Sequence, residues 1–318
     1  MNVGRGKIRI DFCDFFPGFA KTDNFFYHLL KEHFPVELSD QPDFVFFTPY
    51  GHQHRLHTGV RIFFSQESWP ADYRHCDYSF TCHHADDPRH CRLPLYVLYG
   101  RAEDVIKSPD EAEATLEAKT KFCAFVVGNH HPRKNRNRVA FFERLSARKH
   151  VDSGGRFRNN IGGPIPGYSA GKIAFLRQYK FNIAFENASL PGYTTEKIFE
   201  AMRARCVPIY WGDPRIAEDF NPKSFINAAD FPSLEALADH VIELDRDDTR
   251  MFAYLREPYL PDNRPTKWFD RTRLLDQFER IFTTPITPVG HRRHWWHLGR
   301  WRCVKRNQLL VGAGRTED

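Results

Sequence analysis

Polar and hydrophobic positions settle into two rhythms over the first third of the chain. Lys7-Ile8-Arg9-Ile10-Asp11-Phe12 alternates with period two, as a strand with one buried face does. Asp43-Phe44-Val45-Phe46-Phe47-Thr48 is one apolar run, the pattern of a strand covered on both faces. Between them, Asn24 to Lys31 has helical spacing, with Asp23 or Asn24 placed to accept from the open N–H groups of the first turn. A further strand-like run, Arg61-Ile62-Phe63-Phe64-Ser65, leads into Gln66-Glu67-Ser68-Trp69-Pro70. Strands alternating with helices predict a parallel, Rossmann-like sheet.

The rhythm breaks at Ser108 to Ala118, where Glu111, Glu113 and Glu117 sit among alanines, and an inter-domain link is expected there. The pattern restarts with Lys121-Phe122-Cys123-Ala124-Phe125-Val126-Val127, closes on Gly128-Asn129, and continues into an amphipathic helix from about Arg138 to Lys149. Beyond a Gly-rich stretch lies a β-α-β unit: strand Phe181 to Phe185, loop Glu186 to Tyr193, helix Glu196 to Arg205, strand Val207 to Trp211. No internal repeat or low-complexity tract interrupts it. The predicted class is α/β, with two Rossmann-like domains facing a central cleft. The expected division is residues 1–115, residues 116–285, and a basic, Trp-rich tail over 286–318.

Composition narrows this picture. Hydrophobic residues make up 41% of the 318, with 29 Phe, enough for packed cores and too much for a disordered chain. The longest apolar runs fall far short of the roughly 20 residues that span a bilayer. No apolar stretch follows the N-terminal charges, so a cytoplasmic protein, or a chain without its anchor, is expected. Seven scattered cysteines are an odd number, which fits a reducing compartment better than a disulfide framework. The net charge of +6 is uneven: seven Lys and Arg lie between 292 and 315, leaving 39 basic and 38 acidic residues over 1–290. A basic tail on a neutral body argues against nucleic acid as a partner of the whole protein.

Candidate chemistry concentrates in Tyr179 to Lys197. A buried strand there delivers polar residues at its carboxyl end, where open α/β sheets place ligands. A Gly-containing loop then enters a helix at Thr194-Thr195-Glu196-Lys197; either Thr can cap it, and open N–H groups at a helix start attract anions. Lys197 adds a point charge suited to phosphate, Glu196 can accept from sugar hydroxyls, and Tyr193 can donate or stack. The same residues also suit an ordinary capped helix with Glu and Lys on its exposed face.

The block Tyr179-Lys180-Phe181-Asn182-Ile183-Ala184-Phe185-Glu186-Asn187, then Gly192-Tyr193-Thr194-Thr195-Glu196-Lys197-Ile198, then Val207-Pro208-Ile209-Tyr210-Trp211-Gly212-Asp213-Pro214, closely resembles the signature of the α-1,3-fucosyltransferases that use GDP-fucose. Asp219-Phe220-Asn221-Pro222-Lys223-Ser224-Phe225-Ile226 looks like its continuation, and the likeness reaches back thinly to about residue 60. The resemblance implies the two-domain arrangement called GT-B and an inverting transfer of L-fucose to an N-acetylglucosamine-containing glycan. It implies donor-site roles for Asn187, Tyr193, Glu196 and Lys197, with Glu196 on ribose or sugar hydroxyls and Lys197 on the diphosphate. Arg138, beside Arg133, Lys134 and Arg136, falls where the family keeps an Arg for the diphosphate. Glu67 falls where the family keeps a Glu after a strand, and an inverting transfer needs a base on the acceptor side. A transferase of the same architecture with another nucleotide sugar, or a module that binds membrane or nucleic acid through its tail, are the competing expectations.

Three further features carry weaker signals. His75, Cys76, Cys82, His83, His84, His90 and Cys91 crowd one region, but their cysteine gaps are wrong for structural zinc, so a polar or acceptor-facing loop is expected. Asp245-Arg246-Asp247 is read as an exposed helix end rather than a metal motif, and the resembling family implies that no cofactor or obligatory metal is needed. Residues 291–306 mix Arg, His and Trp, a composition found at anionic membrane surfaces. Bacterial members with such tails imply peripheral contact with the inner membrane; a disordered C-terminus is the alternative.

Overall fold

In the computed structural model, residues 6–128 and 136–292 are described. The first half runs β1 (Ile8–Cys13), α1 (Phe25–His33), β2 (Val36–Leu38), β3 (Phe44–Phe47), β4 (Val60–Ser65), β5 (Tyr78–Thr81) and β6 (His90–Arg92). These strands form a parallel sheet in the order β2-β1-β3-β4-β5-β6. Asn24 starts α1 by accepting from the Tyr27 N–H at 3.0 Å. That fixes the helix so that Phe26, Leu29 and Leu30 face the sheet. Phe26 then packs edge-on against Phe64 at 4.9 Å and Phe80 at 5.5 Å. Truncating such a residue to Ala costs about 3–5 kcal/mol.

The second half begins with α2 (Glu111–Ala118) and continues through β7 (Lys121–Phe125), α3 (Arg136–Ser146), β8 (Asp152–Ser153), α4 (Tyr168–Leu176), β9 (Tyr179–Phe185), α5 (Glu196–Arg203), β10 (Val207–Trp211) and β11 (Ile226–Asn227). Its parallel sheet is ordered β11-β10-β9-β7-β8, which puts β9 in the middle. Then follow α6 (Leu234–Asp245), α7 (Asp248–Arg256) and α8 (Thr272–Thr283).

Two helices sit differently from the expected division. Ala112 of α2 packs into the second core, so the chain changes halves before that helix. Leu274, Phe278 and Ile281 of α8 return to the first core, where Phe278 stacks on Phe80 at 4.8 Å. The apolar stripe of α8 covers the Phe-rich sheet that the first half leaves open. A third core joins the halves, with Tyr96 and Val105 packed against Ile198, Phe199 and Met202 of α5.

The His- and Cys-rich stretch is also not the expected polar loop. It supplies β5 and β6, and Cys76, Cys82 and Cys91 are buried. The His90 ring is spent on structure, 2.9 Å from the Ser79 hydroxyl and 2.8 Å from the His83 carbonyl. Asp245 is not exposed either: it ends α6 beside Lys149 and, at 3.5 Å, Lys180. Asp247 caps α7 by accepting from the Arg250 N–H at 2.9 Å. Among the described residues no helix is long and apolar enough to cross a membrane. Residues 293–306 of the expected membrane segment lie outside the described residues.

Candidate functional site

The carboxyl end of β9 passes from apolar strand to Glu186, a carboxylate only 1% exposed. A buried carboxylate must be paired, and this one is. It accepts from the Thr195 N–H at 2.8 Å and the Thr195 hydroxyl at 2.9 Å, and lies 3.1 Å from Lys197 Nζ. Residues 187–194 are thereby closed into a loop tied to the start of α5. Thr195 does occupy the N-cap position, but its hydroxyl serves Glu186 instead of capping. Thr194 donates to Asp213 Oδ2 at 3.1 Å.

Gly192 at the loop tip has φ +87°, and a Cβ there would lie 2.4 Å from the Cys82 carbonyl oxygen. Glycine therefore lets the loop rest on the first half. Arg92 of β6 holds it there. Its guanidinium makes 2.8 Å bonds to both carboxylate oxygens of Asp219, donates to the Cys82 carbonyl at 2.8 Å and the Gly192 carbonyl at 3.3 Å, and lies 4.2 Å over the Trp268 ring.

On the floor, Arg138 is buried and donates through Nε to the Phe185 carbonyl at 2.9 Å and through Nη2 to Asn187 Oδ1 at 2.7 Å. Burial lowers its pKa, opposed by Glu186 and Tyr193, and a guanidinium stays charged through such a shift. Lys197 donates to the Thr195 hydroxyl at 2.8 Å and lies 3.4 Å from Glu196 Oε1. Burial alone would lower the pKa of Lys197, but Glu186 and Glu196 outweigh it and hold the ammonium charged. Glu196 mirrors this: burial would raise it, yet Lys197 and Lys172 bring it down to about 2.

Glu67 follows β4 on the opposite wall, half-buried, with its N–H donating to the Ser65 hydroxyl at 3.2 Å. The Tyr193 hydroxyl reaches across to Glu67 Oε2 at 3.5 Å. Burial raises the Tyr193 phenol, so it remains a neutral donor. The structure thus gathers Arg138, Asn187, Tyr193, Glu196 and Lys197 on one wall and sets Glu67 against them. Among the described residues no group of three His, Cys, Asp or Glu could hold a metal ion. Two cations beside a helix start can neutralise a diphosphate, and a carboxylate facing them can take a proton.

Two residues that organise this site, Glu186 and Arg92, were not among the sequence candidates. For Glu186 the signal was an acid directly after an apolar strand, where ligand-facing groups belong. Arg92 had only its place between Cys91 and Leu93, a charge inside a strand.

Comparison with known proteins bears on the family and the fold. A family model described as "Glycosyltransferase family 10 (fucosyltransferase) C-term" matches residues 116–261. A second, "Alpha-(1,3)-fucosyltransferase FucT N-terminal domain", matches residues 10–99. The chain is 32% identical over 251 residues to the "Alpha-(1,3)-fucosyltransferase FucT" of Helicobacter pylori, covering 68% of this chain and 52% of that protein. It is 36% identical over 165 residues to a Bos taurus "3-galactosyl-N-acetylglucosaminide 4-alpha-L-fucosyltransferase", covering 51% of this chain and 43% of that one. The chain therefore spans about half the length of these curated relatives. A crystal structure of an α1,3-fucosyltransferase with GDP-fucose superposes with TM-score 0.74 at 26% identity, covering 91% of this chain and 94% of that one. A UDP-glucose complex of Anabaena HepE, at TM-score 0.51 and 12% identity over 87% of this chain and all of that one, shares the fold alone. The two facing parallel sheets are of the GT-B type.

Proposed function

The chain belongs to glycosyltransferase family 10, the fucosyltransferases, and from that premise we propose that it moves L-fucose from GDP-fucose, with inversion, to a hydroxyl of an N-acetylglucosamine-containing glycan, making an α-1,3 linkage. The observation that carries this reading is the contact between the Tyr193 hydroxyl and Glu67, which sets one carboxylate opposite two fixed cations. Glu67 takes the proton from the attacking acceptor hydroxyl. The new bond forms to the fucose anomeric carbon as the bond to GDP breaks on the other face. Arg138 and Lys197 meet the charge that builds on the departing diphosphate, and both are already placed before the donor arrives, so little reorganisation opposes the reaction. Asn187 keeps the Arg138 fork in its plane. Glu196, ionised at neutral pH, accepts from hydroxyls of the donor. With the leaving group neutralised by side chains, the reaction requires no metal, and added chelator leaves the rate unchanged. The basic segment 291–306, on its composition, holds the enzyme at the surface of the inner membrane from the cytoplasmic side.

Glu67→Gln tests the base. Transfer from GDP-fucose should fall by about 10²–10⁴-fold while stabilisation of the protein by GDP persists. Undiminished transfer overturns the assignment, and stabilisation by UDP but not GDP overturns the donor.

A further inference from the structure

Two residues past the carboxyl end of β10, beside the end of β9, stands a carboxylate without a task in the transfer described above. Asp213 is only 2% exposed, and an acid so buried needs donors for its oxygens. Oδ1 accepts from the Arg215 N–H at 2.8 Å, and Oδ2 accepts from the Thr194 hydroxyl at 3.1 Å. The Asp213 N–H donates to the Tyr210 hydroxyl at 2.9 Å. Gly212 makes room for this arrangement: a Cβ there would lie 2.5 Å from Glu186 Cγ and 2.6 Å from the Tyr210 hydroxyl oxygen. Asp213 is thus fixed to its own strand end on one side and holds the loop 187–194 on the other.

What it holds is a tight turn. The N–H of buried Thr194 donates to the Gly192 carbonyl at 2.9 Å, and this i to i+2 bond closes three residues with Tyr193 at the apex. The two ends of the turn are tied to different halves of the molecule. Gly192 rests on Cys82, and Arg92 of the first half donates to its carbonyl at 3.3 Å. Thr194 is tied to Asp213 of the second half. The buried Tyr193 ring leaves the apex between these ties and brings its hydroxyl 3.5 Å from Glu67 Oε2. A contact of that length is weak, so the turn, and not the contact, sets where the ring points.

The next residue is anchored separately. Thr195 is held by Glu186, through its N–H at 2.8 Å and its hydroxyl at 2.9 Å. Lys197 lies 3.1 Å from the same Glu186 carboxylate, and Arg138 is held by the Phe185 carbonyl and Asn187. The cations of the α5 wall therefore do not depend on Asp213, whereas the direction of Tyr193 does.

We propose that Asp213 is a positioning residue for the transfer: through the Thr194 hydroxyl it fixes the turn that aims the Tyr193 hydroxyl at Glu67. It acts through Tyr193 and not on the reacting atoms. The inference rests on the fucosyltransferase reading, in which Glu67 is the base. Breaking the tie frees the ring to turn away from Glu67 while the diphosphate-facing cations stay in place. The loss then falls on the chemical step and not on the hold on the donor.

The test is transfer from GDP-fucose to N-acetyllactosamine by the full chain and its variants. Thr194→Val keeps the branched shape and removes the hydroxyl, and kcat should fall by about 10–10²-fold with KM for GDP-fucose unchanged. Thr194→Ser, which restores a hydroxyl, should recover the rate, and Asp213→Ala should copy Thr194→Val. Tyr193→Phe should lower kcat at least as far, and Thr194→Val added to it should lower kcat no further, because both act through one contact. Stabilisation by GDP reports in the same samples that the fold and the donor wall are intact. Should Asp213→Ala fail to fold, the two Thr194 variants and the pairing with Tyr193→Phe decide. An unchanged kcat in Thr194→Val or Tyr193→Phe, losses that add in the double variant, or a rise in KM for GDP-fucose in place of a fall in kcat overturns the inference alone. Absence of transfer by wild type overturns the function on which it rests.

Discussion

On the β9–α5 wall of the cleft the charges hold one another in place: Glu186 carries Lys197 and Thr195, Lys197 and Lys172 keep Glu196 ionised, and Arg138 is bolted to a strand carbonyl and to Asn187. On the β4 wall Glu67 has its own loop, through Ser65, and one long contact to Tyr193. The remainder of that wall is aromatic surface. A diphosphate is the same in every donor molecule, so its site can be rigid, fully wired and buried. On the proposed function the β4 wall meets an acceptor glycan, which brings its own hydroxyls and apolar faces, and that wall offers it shape and one carboxylate. Breaking a group on the first wall should therefore cost both stability and activity, whereas Glu67 should cost activity alone.

The largest effect is expected at the joint between the walls. Arg92 and Asp219 are 4% and 0% exposed, and Arg92→Ala would strand the Asp219 carboxylate and release the Cys82 and Gly192 carbonyls. Removing one partner of such a pair costs about 4 kcal/mol, measured as ΔΔG of unfolding in urea. Adding Asp219→Ala should recover part of that loss, because no buried charge is then left alone. A cost near zero for Arg92→Ala would mean that the two halves do not depend on this clamp. Lys197→Ala comes next. It leaves buried Glu186 without its cation, at about 3 kcal/mol. It should also lower kcat by about 10²-fold through the lost charge on the diphosphate. Full stability with reduced activity would show the wall less interlocked than its distances imply.

Much of the first wall was legible in the sequence because its signals are local. An apolar run, a Gly-bearing loop and Thr-Thr-Glu-Lys at a helix start follow one another within twenty residues of Tyr179, and the family resemblance supplied guanosine and fucose. What local reading could not show was which of two acids is buried. Glu186 and Glu196 look alike in sequence, and only the folding of the loop back onto Thr195 separates them. Non-local pairings were missed for the same reason. The strands β5 and β6 are short, β6 consists of His, Cys and Arg, and both are strands because neighbours on the sheet claim them. The return of α8 to the first core, and the bond from Arg92 to a loop 100 residues away, leave no mark in the periodicity.

A smaller effect should appear in acid. Glu196 titrates at about 2 in the fold, against roughly 4.3 for a free Glu. A depressed carboxylate stabilises the fold above its unfolded value, and that contribution drains away as pH falls toward 2, where the unfolded chain takes up a proton the fold refuses. Glu196→Gln should therefore flatten the acid limb of unfolding free energy against pH between about 4.5 and 3 while leaving the slope above pH 5 unchanged. An unaltered acid limb would mean that Lys197 and Lys172 are satisfied without it.

The smallest expected change sharpens the comparison most. Glu67→Gln keeps the shape of the side chain, its N–H bond to Ser65 and an acceptor oxygen for Tyr193. Among the described residues no cation forms an ion pair with Glu67, so neutralising it breaks none of theirs. Its unfolding free energy should stay within about 0.5 kcal/mol of wild type, the range of a surface change. A substitution that removes a charge from the centre of an active cleft without moving stability marks a group whose partner arrives with the substrate. If Glu67→Gln were instead to destabilise the protein as Lys197→Ala does, Glu67 would be one more strut of the β9 wall, and the acceptor hydroxyl would need a different base.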